Sequence, residues 1–198
     1  MSEDAITHLC FDTETLAITP NAVVLSIAVV PFQFENPVSF RQLVKGGFYA
    51  KLSVEDQVRK YKRSIDPDTV AWWKAQGAEA RAVLKPSDED LTLEELVQEM
   101  GAFIKASGYS WKKSYVWSRG NTFDFGKIES MYGNLGLKEP YNTFMQRDIR
   151  TMIDCLTGSS NGKAKPQGER DGFVAHNCLH DAANDAATMT EIFQALSE

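Results

Sequence analysis

Two acids two residues apart, Asp12 and Glu14 in Phe11-Asp12-Thr13-Glu14-Thr15-Leu16, are the first place where this sequence could do chemistry. They follow an apolar run, Ile6 to Phe11, whose composition predicts a buried strand. Strand side chains alternate between faces, so both carboxylates point the same way. Side by side they repel and resist burial, and a divalent cation between them relieves both problems. Asp124 adds a third acid, just past a short apolar strand and at the start of a helix. Near the C-terminal end come His180 and, five residues later, Asp185. Four acids and a histidine, each at an element end, are what metal-assisted phosphodiester hydrolysis requires. Two Mg²⁺ or Mn²⁺ ions about 4 Å apart clamp the attacking and leaving oxygens. Carboxylates suit such hard ions. A neutral histidine, with an ordinary pKa of about 6.5, can take the proton of the attacking water.

Each member has a plainer reading. An isolated Asp-x-Glu is a weak signal, and Asp124 alone fits the acid that a helix dipole favours at its N-terminus. Asp181 reads as a helix cap, although it stands four residues before Asp185 and could compete with it as a ligand. His8 and His176 read as structural. The ordered combination carries the argument. Five helical residues turn through roughly 500°, so His180 and Asp185 cannot share a helix face. The expectation is therefore that His180 lies just before the last helix, on the end of a mobile loop, with Asp185 on the rigid helix.

The elements that must position these groups are legible in outline. After strand one, Thr19-Pro20-Asn21 predicts a turn. Ala22 to Phe32 is β-branched and apolar, the pattern of a central strand. Phe48 to Leu52 predicts a third strand, joined to the second without a crossover helix, so the three can pair antiparallel. Helix starts are expected at Ser53, at Asp66-Pro67 and at the Thr92…Glu95 capping box. A strand over Ser114 to Ser118 leads to a helix from about Phe123. A strand over Phe144 to Asp148 leads to a further helix. Gly158 to Gly172 lacks periodicity and predicts a mobile loop. The last helix is expected from about Asp181, with Ala182, Ala186, Met189, Phe193 and Leu196 inward.

The chain has 198 residues and a formal net charge of −6. That length suits one domain over residues 1–198, and the charge argues against a protein that coats nucleic acid through a broad basic face. No apolar run is long enough to span a bilayer, so no membrane role is expected. The polar start Met1-Ser2-Glu3-Asp4 argues against an export signal. Three scattered cysteines suggest a reducing cytoplasm.

At Asp12-Thr13-Glu14, at Asp124 within Gly120-Asn121-Thr122-Phe123-Asp124, and at His180-Asp181-Ala182-Ala183-Asn184-Asp185, the sequence resembles the DEDDh-type 3′–5′ exonucleases. Trp72 to Gln76, Pro86 to Asp90, Gln146 to Thr151 and Asp171 to His176 look like segments of the branch that holds T-even phage exonucleases, with related bacterial exoribonucleases. The resemblance implies an α/β, ribonuclease H-like fold: a mixed five-stranded sheet, strand two antiparallel, with helices packed on it. It implies that Asp12, Glu14, Asp124 and Asp185 bind two divalent cations, Mg²⁺ or Mn²⁺, with His180 as general base. The partner implied is single-stranded nucleic acid with a free 3′ end, cut to nucleoside 5′-monophosphates, DNA favoured over RNA. For a phage-encoded chain the place would be the host cytoplasm. Alternatives are an exoribonuclease of the same family or an inactive binding module. Thr13, Thr15 and Leu16 beside the first motif, Asn121 and Phe123 beside the second, and Arg147 after strand five are the expected substrate contacts. Leu16 as a wedge at the last base and Leu16 as a core residue are equally expected. Trp72 and Trp73 face different ways on their helix, so one is expected in the core and the other is left open as a stacking platform.

Overall fold

The structure is a computed structural model that describes residues 5–197. The acidic start expected at Met1 to Asp4 lies outside the described residues. Strands β1 (His8–Thr15) and β2 (Val24–Phe32) pair antiparallel, His8 opposite Phe32 and Glu14 opposite Ser26. Helix α1 (Phe40–Gly46) follows, then β3 (Phe48–Lys51), antiparallel to β2. Next come α2 (Val54–Tyr61), α3 (Pro67–Lys74), α4 (Ala78–Arg81) and α5 (Leu93–Ala106). Strand β4 (Val116–Ser118) lies parallel to β1. After α6 (Asn121–Asn134), β5 (Gln146–Asp148) lies parallel to β4. Helices α7 (Ile149–Thr157) and α8 (Cys178–Ser197) complete the order. The sheet runs β3-β2-β1-β4-β5, five strands with only β2 reversed, as the resemblance implies. Among the described residues no helix is long and apolar enough to cross a membrane.

Strand parity sorts the core into two layers. Leu9, Phe11 and Val29 meet α5 and α6 on one face, through Leu96, Met100, Phe125 and Ile128. Cys10, Ala28 and Val30 meet α1, α7 and α8 on the other, through Phe40, Ile153, Ala183 and Ala186. The alanines of α8 have short side chains, which lets that helix lie close on the sheet. Asp12 and Glu14 continue the even-numbered parity and therefore emerge toward α8. The pairing slips between Glu14 and Thr15, where β2 carries an extra residue. There the buried Gln57 side chain supplies both missing partners: its Oε1 accepts from Val24 N at 2.9 Å and its Nε2 donates to Val24 O at 2.7 Å. This closes the start of β2, beside the end of β1 that carries the acids.

Four expectations need correction. Helix α1 interrupts β2 and β3; its signal was Ser39, whose hydroxyl and Gln42 form a reciprocal cap. The last helix begins at Cys178 rather than Asp181, because Asn177 Oδ1 accepts from Leu179 N and His180 N. Phe193 and Leu196 are exposed rather than inward, since α8 outruns the sheet at its end. Phe144 belongs to a short 3-10 turn before β5, with its ring in solvent.

Candidate active site

The end of β1, the start of α6 and the first turns of α8 converge on one open hollow of about 590 Å³. Asp12, Asp124, Asp181, Asp185 and His176 line it. Asp124 reaches the strand end from the first turn of α6 and is fixed there by Thr13, whose N and Oγ1 donate to its Oδ1 at 3.1 and 2.7 Å. The start of α6 needs Gly120, which holds φ at +87°. Asp148 accepts from Gly120 N and Asn121 N there, and from Thr151 N at the start of α7. One carboxylate thus secures two helix N-termini.

Burial pushes Asp12 well above the usual carboxylate range, and Asp124, Glu14 and Asp181 push the same way. Glu14 is raised to about 8 by burial, then by Asp181 and Asp124. Asp124 is raised to about 7 by burial, against the hydrogen bond from Thr13 and the charge of Lys127. Asp181 is raised to about 7 by burial and then by Asp185. No lysine or arginine among the described residues forms an ion pair with Asp12, Glu14 or Asp181. Carboxylates crowded together without a counter-charge fit a divalent cation. Ligand atoms of Glu14, His176 and Asp181 all lie within 4.8 Å of one another, which places the histidine beside two of the acids that could hold an ion.

The third motif is arranged differently from the sequence expectation. His180 is in the first turn of α8, not on the loop before it. Its Nδ1 accepts from Val174 N at 3.0 Å, and its ring packs on Phe40 and Phe173 at 5.8 and 6.4 Å. It does not line the hollow. Asp185 lines the hollow but is gripped by Arg119, with Nη2 at 2.6 Å from Oδ1. The residues that meet the geometric requirement are His176 and Asp181, with the same spacing of five. His176 ends the loop just outside the helix, at φ +62°, and Asp181 stands on the first turn. The signal that separates the two readings is Asn177. Its preference for the N-cap moves the helix start upstream and leaves His176, not His180, as the last loop histidine.

The other expected contacts divide. Thr13, Thr15 and Phe123 line a second, more apolar hollow of about 330 Å³ beside Glu14, with Ile18, Trp72 and Trp73. Leu16 is buried against Val23, Leu25 and Trp73, the core alternative, and Ile18, 75 % exposed, is the open apolar residue of that turn. Trp73 is buried and donates from Nε1 to Thr15 O at 2.9 Å, while Trp72 is 44 % exposed and meets His176 edge-on at 4.9 Å. Lys127 joins two walls of this hollow, donating to Ile18 O and Phe123 O over the Phe123 ring. Asn121 gives its backbone amide to Asp148 and lines neither hollow. Arg147 stacks on Tyr115 at 4.4 Å and lines neither hollow; Arg150 lines the larger one instead. His8, as expected, is structural: it accepts from Tyr115 N and stacks on Tyr115. Of the basic cluster at 59–63, Arg63 is buried and bonds to Ala22 O, Ser130 and Asn134.

Known proteins point the same way. Residues 7–193 match the family described as 3′–5′ exoribonuclease Rv2179c-like domain. An exodeoxyribonuclease of Enterobacteria phage T4 is 33 % identical over 195 residues, covering 90 % of this chain and 85 % of the relative. In fold, the chain resembles the nuclease domain of 3′hExo, a DEDDh family member bound to rAMP, with TM-score 0.61, 14 % identity and coverage of 98 % and 94 % of the two chains. It also resembles a 3′-exonuclease in 3′-end specific recognition of a histone mRNA stem-loop, with TM-score 0.62, 12 % identity and coverage of 96 % and 64 %. The chain belongs to the 3′–5′ exoribonuclease Rv2179c-like domain family and is a 3′–5′ exonuclease.

Proposed function

We propose that the chain, as one catalytic domain over residues 1–198, trims single-stranded nucleic acid from its 3′ end and releases nucleoside 5′-monophosphates, with DNA as the favoured substrate. The observation that carries this is the crowding of Asp12, Asp124 and Asp181 in one hollow, with Glu14 and His176 close to Asp181 and no ion pair to Asp12, Glu14 or Asp181 among the described residues. Those four acids would hold two divalent cations, Mg²⁺ or Mn²⁺, with Asp185 held back by Arg119. Bound there, the cations would stabilise charge on the attacking and leaving oxygens. His176 takes the proton of the attacking water, from a loop position that leaves its ring free to face the hollow. The neighbouring apolar hollow receives the terminal base against Phe123, Ile18 and Trp72, with Lys127 fixing two of its walls. The lean to DNA rests on the phage relative, an exodeoxyribonuclease covered over 85 % of its length. The family description favours RNA, and an exoribonuclease is the second reading. We place the protein in the cytoplasm, the host's if a phage encodes it.

The test is one assay with matched single-stranded DNA and RNA labelled at the 5′ end, in Mg²⁺ and in Mn²⁺. A ladder shortening from the 3′ end, faster on DNA and lost in Asp12→Ala, is expected. Faster loss of RNA would select the exoribonuclease. Intact oligonucleotides of both kinds would mean a binding module.

A further inference from the structure

The lining of the hollow is also basic in part, with Arg119, Arg150 and Lys163. Arg119 is committed, to Asp185 and to Gly162 O. Arg150 is not. It makes no hydrogen bond or ion pair to another described residue, because its two acidic neighbours in sequence are occupied. Asp148 takes the amides of Gly120, Asn121 and Thr151, and Asp154 Oδ1 takes Gly162 N at 2.8 Å.

Two glycines shape the slot through which Arg150 reaches the hollow. A Cβ at Gly162 would lie 2.5 Å from Arg150 Cβ and 2.6 Å from its Cγ. A Cβ at Gly120 would lie 3.0 Å from Nη1. Both glycines hold positive φ, +64° and +87°, so both positions disfavour any side chain and both leave the arginine stem its path. A planar guanidinium held in this way is suited to bidentate recognition of phosphate oxygens.

We propose that Arg150 is a phosphate-binding residue of this site, receiving the non-bridging oxygens of the scissile phosphodiester and, after cleavage, of the 5′-phosphate of the released nucleotide. The proposal rests on the exonuclease reading and names the group that grips the phosphate within it.

The experiment measures, by calorimetry in Mn²⁺, binding of a nucleoside 5′-monophosphate and of the matching nucleoside to the wild type, Arg150→Ala and Arg150→Lys. Arg150 is exposed, and thermal melts confirm that each variant folds. We expect Arg150→Ala to weaken the monophosphate about 10–100-fold and to change the nucleoside less than about twofold. Arg150→Lys should recover part of the loss, since a point charge replaces the fork. An unchanged monophosphate affinity in Arg150→Ala, or an equal loss for the nucleoside, overturns the proposal. Intact oligonucleotides in the wild-type assay would instead sink the exonuclease reading, while the binding comparison would still report on Arg150.

Discussion

Arg119 grips Asp185 through both carboxylate oxygens: Nε lies 3.0 Å from Oδ1 and 2.9 Å from Oδ2, and Nη2 lies 2.6 Å from Oδ1. A fork-on-carboxylate pair of this kind gives Asp185 the direct ion pair that Asp12, Glu14 and Asp181 lack among the described residues. It also ties the end of β4 to α8, and through Arg119 Nη1 and Gly162 O to the loop beyond α7. Arg119→Ala should cost about 3 kcal/mol of stability, because Asp185 would remain as a mostly buried, unpaired charge. Arg119→Met with Asp185→Leu should restore most of that. Urea unfolding of the wild type and the two variants checks it, and a loss below about 1 kcal/mol in the single variant would refute the structural role.

The two histidines separate in function. His176→Ala should lower turnover about 10²–10⁴-fold with little change in Mn²⁺ affinity. His180→Ala should lower turnover less than about tenfold and act mainly on stability, by removing the acceptor of Val174 N. Single-turnover cleavage beside Mn²⁺ titration distinguishes them. The reverse ranking would return the base role to His180.

The metal-free protein should lose stability as pH rises. Glu14 is raised to about 8, and Asp124 and Asp181 to about 7, from unfolded values near 4. Between about pH 4 and 8 the folded chain therefore binds more protons than the unfolded chain, and stability falls with pH across that window. Thermal melts in chelator from pH 5 to 8.5 should show the decline. Mn²⁺ should raise Tm more at pH 8 than at pH 6, since the ligands are then already deprotonated. A Tm independent of pH in chelator would contradict the crowding of the acids.

The tandem tryptophans should also part company. Trp73→Ala should cost about 3–5 kcal/mol, as a fully buried ring is removed. Trp72→Ala should leave Tm nearly unchanged and raise KM for oligonucleotides several-fold, through loss of an exposed stacking face beside the base hollow. Unaltered KM in Trp72→Ala would remove it from the substrate path.

Much of this was legible in the sequence. Strand parity alone put Asp12 and Glu14 on one face, and the apolar runs around them gave β1, β2 and β4. The last motif was harder, because His176 to Asp185 offers two histidine–aspartate pairs of equal spacing in overlapping frames. Local chemistry decides between them only when Asn177 is weighted as a cap. The partner that neutralises Asp185 could not be read at all: Arg119 is 66 residues away, and only the parallel placement of β4 beside β1 brings it near. Leu16 and Ile18 differ in exposure because Leu16 meets Trp73, a contact between elements with no local signature.

The segment from 158 to 172 carries a further consequence. Gly162 N bonds to Asp154, Gln167 N and Gly168 N bond to Glu191, and Arg170 bridges Asn184 and Glu191. Far from the mobile loop that its composition suggests, it is tied to α7 at Asp154 and to the middle of α8 at Asn184 and Glu191. Its amide hydrogens should then exchange in step with those of that helix. A strand end would enter by sliding along an open trough between fixed walls, with no door to swing, and successive nucleotides could be fed through without a closing step between cuts.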